Sequence, residues 1–146
     1  MSEFKKILFA TDFSRGSEKA FSHALSLARK YRARLDVVHV VQEMLDITEF
    51  YVPHISVEVI EREMEEAAEV KIKDFCKDSI KDVEYETHIK MGVPFKEIIE
   101  TAEAVGADVI VMGTHGRSGV DHVLFGSTAE KVVRKSTLPV LTVRAD

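Results

Sequence analysis

Two patterns of apolar residues take turns along the chain. Short unbroken runs are followed by longer stretches in which apolar residues return every three or four positions. Ile7-Leu8-Phe9-Ala10 is the first run, held between Lys5-Lys6 and Thr11-Asp12-Phe13-Ser14. It lacks polar alternation and so predicts a strand buried on both faces. From Gly16-Ser17 the period becomes helical, with Phe21, Ala24, Leu25, Ala28 and Tyr31 on one stripe. Leu35-Asp36-Val37-Val38-His39-Val40-Val41 is β-branched and too short for a helix, which makes it a second strand. Residues 42–57 are irregular. A helical period returns over 58–80, with Ile60, Met64, Ala67, Ala68, Ile72 and Phe75 inward and mixed charges outward. Val83, Tyr85, Thr87 and Ile89 alternate with Glu84, Glu86 and His88, the signature of a half-exposed strand at a sheet edge.

Gly92-Val93-Pro94 is a turn, with Pro94 placed for the first turn of a helix. That helix turns Phe95, Ile98, Ile99 and Ala102 inward and stops near Gly106. Asp108-Val109-Ile110-Val111-Met112 is a further buried strand, leading into the glycine-rich segment Gly113-Thr114-His115-Gly116-Arg117-Ser118-Gly119. A last helix starts at Gly126-Ser127 with Ala129, Val132 and Val133 facing in, and Ser127 with Glu130 has capping-box spacing. Pro139-Val140-Leu141-Thr142-Val143 closes the chain as a strand suited to an edge. The predicted order is β-α-β-α-β-α-β-α-β. Such alternation predicts an α/β fold, a mostly parallel sheet with helices on both faces. No composition break marks a linker, so one domain over 1–146 is expected.

Composition narrows the function. The chain has 146 residues, 45% hydrophobic and 31% charged, with 20 Lys and Arg against 25 Asp and Glu. A net charge of -5 argues against a general nucleic-acid surface, which needs basic clusters to neutralise phosphates. The lone cysteine, Cys76, leaves no intrachain disulfide framework and reads as a small buried apolar residue. The start of the chain has no signal-peptide pattern, and no stretch has the roughly 18 apolar residues of a membrane span. A cytoplasmic protein without membrane or nucleic-acid partners is expected.

In open α/β sheets, ligands bind beyond the carboxyl ends of the strands, where the strand order reverses. Two segments carry binding-type residues there. One is Ala10-Thr11-Asp12. The other has Gly113 and Gly116 two residues apart, then nine residues, then Gly126-Ser127. Glycines let main-chain N–H groups approach an anion, and a helix N-terminus at Gly126-Ser127-Thr128 adds more donors. Arg117 offers a guanidinium fork for phosphate oxygens. A polyphosphate suits this chemistry, while the same glycines also serve a protein that needs only turns. Asp12 reads either as a ligand contact or as an Asx turn. The Walker A and dinucleotide-fold glycine patterns are absent. His39, inside an apolar strand, is expected to be a hydrogen-bonded core residue. His115 could touch a phosphate or brace its loop. His23, His54, His88 and His122 show no paired metal-ligand spacing, so no metal site is expected.

Taken together, these segments resemble the universal stress protein family of the ATP-binding type. The resemblance runs from Lys6–Ser14 through the His39-Val40 strand, Gly92-Val93-Pro94 and Val111–Arg117 to the final strand. Its decisive element is the glycine signature formed by Gly113, Gly116, Gly126 and Ser127. The resemblance implies a Rossmann-like sheet of strand order 3-2-1-4-5, like that of the adenine nucleotide alpha hydrolases. It implies that Asp12 meets the nucleoside, with Ala10 and Thr11 on the same wall. Val40 would meet the adenine edge through its main chain, and Met112 and Gly113 would flank the ribose. Gly116, Arg117, Gly126, Ser127 and Thr128 would surround the phosphates of ATP, with Mg²⁺ travelling on it. A homodimer through the C-terminal strand is also implied, and the apolar edge composition of that strand points the same way, with Val140 and Val143 expected near the two-fold axis.

No Ser-His-acid arrangement or paired carboxylate is readable from spacing, so no catalytic residue is assigned. The sequence points first to a nucleotide-dependent regulatory or signalling dimer in the stress response, acting on a protein partner it does not identify. A slow ATP hydrolase or phosphate-transfer enzyme using the same pocket is the alternative, and a dimeric interaction protein with an empty pocket is a third reading.

Overall fold

The computed structural model describes residues 3–42, 56–114 and 125–145. Within them run β1 (Lys6–Ala10), α1 (Arg15–Tyr31), β2 (Arg34–Gln42), α2 (Val57–Lys77), β3 (Tyr85–Gly92), α3 (Pro94–Val105), β4 (Val109–Gly113), α4 (Ser127–Lys135) and β5 (Val140–Val143). All four strand pairings are parallel, and the sheet order is β3-β2-β1-β4-β5. The order reverses between β1 and β4. None of the described helices is long and apolar enough to cross a membrane.

Side-chain alternation along each strand divides the core into two layers. Ile7, Phe9, Leu35, Val37, Val109 and Val111 face α1 and α2, where Phe21, Ala24, Ile72 and Cys76 meet them. Leu8, Ala10, Val38, Ile110 and Met112 face α3 and α4, against Ile98, Ala102, Ala129 and Val132. Strands covered on both sides need no polar face, which is why their sequences are unbroken apolar runs. Cys76 lies fully buried in the first layer, and burial pushes its thiol up to about 11, so it is uncharged at neutral pH.

The helix stops read from the sequence are present. Gly106 takes φ 70 and ψ 39, and its N–H returns to the carbonyls of Ala102 and Glu103. A left-handed residue of this kind is where glycine has no steric penalty. Several finer expectations are corrected. Helix α1 begins at Arg15, capped by the Ser14 side chain accepting from Ser17 N–H, not at Gly16-Ser17. The N-cap of α4 is Gly126, and no side chain caps it. Ser127 is already helical, one position too late for a capping box. Tyr31, Met64, Ala67 and Val133, each expected to face inward, are exposed. Val143 packs in the α1/α2 core at 9% exposure, which removes it from any purely external surface, whereas Leu141 beside it is 39% exposed.

Candidate nucleotide site

The carboxyl ends of β1 and β4 leave the sheet as neighbours, with Phe9 opposite Val111. Thr11, the first residue past β1, is held from three sides. Its N–H donates to the Val38 carbonyl at 2.9 Å. Its Oγ1 accepts from Phe13 N–H at 3.0 Å and from Ser17 Oγ at 2.7 Å. Its carbonyl lies 2.8 Å from His39 Nδ1. A carbonyl can only accept, so Nδ1 carries the hydrogen and the imidazole is a bonded, half-buried brace, as expected. Asp12 forms an Asx turn, the alternative to its reading as a ligand contact, with Oδ1 accepting from Ser14 N–H at 3.0 Å. It is half-buried, and its N–H donates to Ser17 Oγ at 3.3 Å.

Phe13 follows with φ 65, the left-handed region a bulky side chain avoids at a cost of about 1–3 kcal/mol. Its ring is held 4.5 Å from the His39 ring, 5.9 Å from the Phe75 ring and 4.8 Å from Lys71 Nζ. These contacts fix the sharp exit from β1 that sets Asp12 beside the start of α1. Nothing in the sequence marked Phe13 or Ser17 as part of this device.

The β4 side is built on close approach. A Cβ on Gly113 would stand 3.1 Å from the backbone carbon and oxygen of Gly16, so with a larger residue α1 would have to give way by a few tenths of an ångström. Gly113→Ala should therefore cost about 1–3 kcal/mol through overpacking, seen as a lower midpoint in urea unfolding. An unchanged midpoint would show that this contact does not constrain the fold. Thr114, nearly fully buried, donates its N–H to the Val143 carbonyl at 3.0 Å and accepts from Gly126 N–H at 2.6 Å. That last bond draws the start of α4 to the end of β4. The first-turn amides of α4 have no intrahelical partner by construction, and no side chain among the described residues caps them. They form a set of N–H donors at the positive end of a helix dipole, at the switch point.

Of the site residues implied by the resemblance, Ala10, Thr11, Asp12, Met112, Gly113, Gly126, Ser127 and Thr128 lie at these strand ends and this helix start. Val40 lies in β2 on the α3 side. Met112 is buried against α3 and α4, so only its main chain can meet a ribose. Ser127 is exposed, its hydroxyl not used by a cap. Gly116, Arg117 and His115 fall outside the described residues, as does most of the irregular segment 42–57.

A model of the universal stress protein family matches residues 3–144. The chain belongs to the universal stress protein family. Among its relatives, the universal stress protein MJ0577 of Methanocaldococcus jannaschii is 34% identical over 97% of this chain and 95% of its own. The universal stress protein YxiE of Bacillus subtilis is 36% identical, covering 97% and 99%. The solved structure of MJ0577 superimposes with a TM-score of 0.85 at 31% identity, over 98% of this chain and 97% of that one. A universal stress protein solved in complex with cAMP shares the fold at a TM-score of 0.68 and 24% identity, over 99% and 100%. The five-stranded order is thus the universal stress protein arrangement.

Proposed function

We propose that this universal stress protein binds ATP at the β1–β4 switch point and acts as a nucleotide-dependent regulatory dimer. The observation that carries the reading is the start of α4 at Gly126, capped by no side chain among the described residues and tied by its own N–H to the end of β4. An anionic ligand satisfies first-turn amides where no side chain does. The residues fit a nucleoside polyphosphate. Gly126, Ser127 and Thr128 bring main-chain donors and two hydroxyls to the phosphates, and the family signature adds Gly116 and Arg117, which lie outside the described residues. Gly113 lets the chain pass between ribose and α1. Asp12, whose Oδ1 is fixed by Ser14 N–H, is set to accept hydrogen bonds from the nucleoside. Val40 would read the adenine edge through its main chain. Bound Mg²⁺ would come with the phosphates and needs no all-protein cage.

Asp12→Ala should weaken ATP by about 10- to 100-fold while leaving inorganic polyphosphate affinity nearly unchanged, because a lost charge-assisted hydrogen bond is worth about 1.5–3 kcal/mol. Competition between the two ligands on wild type and variant measures this. Equal losses for both would show that Asp12 does not read the nucleoside.

Occupancy in the cell is tested by denaturing freshly purified protein and identifying the released small molecules by mass spectrometry. Adenine nucleotide near one per chain is expected, and nicotinamide or flavin nucleotides in its place would overturn the reading. Incubating the same preparation with ATP and following released phosphate separates a holder from a slow hydrolase.

A further inference from the structure

Away from the switch point, the amino-terminal halves of β2 and β3 gather charge on the face covered by α3. Asp36 stands opposite Glu86 in the parallel register, and Val38 opposite His88. Glu86 and His88 are two apart on one strand and so share a face with Asp36. Asp36 is fully buried, an unusual place for a carboxylate amid Leu35, Val37 and Val38. Its Oδ1 takes two partners, His88 Nε2 at 2.8 Å and Arg34 Nη2 at 3.2 Å. Arg34 also bonds the half-exposed Glu86 carboxylate. Oδ2 of Asp36 is buried and has no hydrogen-bond partner among the described residues, and the same is true of Arg34 Nε.

Two features of this group are unresolved by protein contacts alone. An unsatisfied buried carboxylate oxygen carries a desolvation penalty that a partner would remove. Two carboxylates also face one guanidinium, so with an uncharged His88 the group holds net negative charge in the sheet. One ligand atom from each of Asp36, Glu86 and His88 can lie within 4.8 Å of the other two. Two oxygens and an imidazole nitrogen are the donor set of Zn²⁺ and its neighbours among the divalent transition metals. We propose that Asp36, Glu86 and His88 form a binding site for a divalent transition-metal ion, with Arg34 as the resident cation it displaces. Arg34 is one-third exposed and can swing to solvent. Glu86, 58% exposed, opens the site to solvent. Asp36, whose buried Oδ2 has no hydrogen-bond partner among the described residues, supplies the buried carboxylate of the site. The site is separate from the nucleotide crevice and stands or falls independently of ATP binding.

The test is calorimetric titration of Zn²⁺ into the nucleotide-free full chain, since phosphates would themselves chelate the ion. Co²⁺ substitution reports coordination through the strength of its visible bands. Saturable binding near one ion per chain is expected. Glu86→Gln, at an exposed position that leaves the core untouched, should weaken it by at least about tenfold, as should His88→Ala. Arg34→Gln should tighten it by removing the competitor. Urea midpoints of all three variants confirm that they fold. Absence of saturable binding, or binding unchanged in both Glu86→Gln and His88→Ala, would overturn the proposal and leave the group an ion-paired cluster only.

Discussion

Gly126→Val is expected to abolish measurable ATP binding, a loss of at least about 30-fold or ~2 kcal/mol, while leaving the fold intact. The two halves of that expectation have separate grounds. Gly126 has φ -70 and ψ 165, an extended conformation that valine adopts without strain. Its N–H bond to Thr114 does not involve the side chain, so a valine can keep it. The effect therefore falls on the ligand. A branched Cβ at the N-cap projects beside the first-turn amides of α4, where phosphate oxygens must come within about 3 Å of nitrogen. Titration with ATP alongside a urea unfolding curve separates the two. Wild-type affinity would mean that the phosphates do not sit at α4. Lost affinity with a collapsed unfolding midpoint would mean that Gly126 serves the fold.

The second large effect concerns assembly. Among the described residues β5 pairs only with β4, which leaves its other edge unpaired there. A short apolar edge of this kind is an association hazard unless covered. Antiparallel pairing with its own copy about a two-fold axis gives a closed, self-complementary interface. We therefore expect a homodimer. The composition of the strand suggested Val140 and Val143 as the probes, but burial changes the choice. Val143 is part of the α1/α2 core and Val140 packs against the α3/α4 side, so a lysine at either would disturb the monomer. Leu141 is the exposed apolar residue of the strand. Leu141→Lys should shift the protein from dimer to monomer by placing like charges close to the axis, without lowering the urea midpoint of the monomer. Light scattering at micromolar concentration reads the state. A monomeric wild type, or a Leu141→Lys variant that remains fully dimeric, would place the interface elsewhere or nowhere.

The physical origin of what could be read from the chain is plain in these elements. β1 and β4 are covered on both faces, so their apolar runs had no competing reading, and the helix period between them fixed the alternation. β3 announced its edge position through Tyr85, Thr87 and Ile89 against Glu84, Glu86 and His88, and among the described residues it does pair on one side only. Helix starts were less legible. Ser14, Gly16 and Ser17 are all helix-opening residues within one turn, and only the direction of the Ser14 side chain decides between them. Ser127 with Glu130 has the right spacing for a capping box, yet the bond from Gly126 to Thr114 sets the helix start one residue earlier.

Contacts across the sheet were the least accessible. The histidines looked scattered because ligand spacing is read along one element. His88 reaches Asp36 through the β2–β3 register, across 52 positions of sequence. A single aspartate inside Leu35-Asp36-Val37-Val38 was the available signal, since a fully covered strand has no solvent side on which to place it. Phe13 gave no signal at all. Its left-handed backbone is stabilised by His39, Lys71 and Phe75, which come from β2 and α2.

All of the functional reading converges on one ligand at the β1–β4 switch point, and calorimetric titration of Mg²⁺-ATP into the wild-type chain tests it most directly. Saturable binding near one ATP per chain, tighter than that of NADH or a flavin nucleotide under the same conditions, is the predicted result. No heat of binding with ATP at millimolar concentration would contradict it.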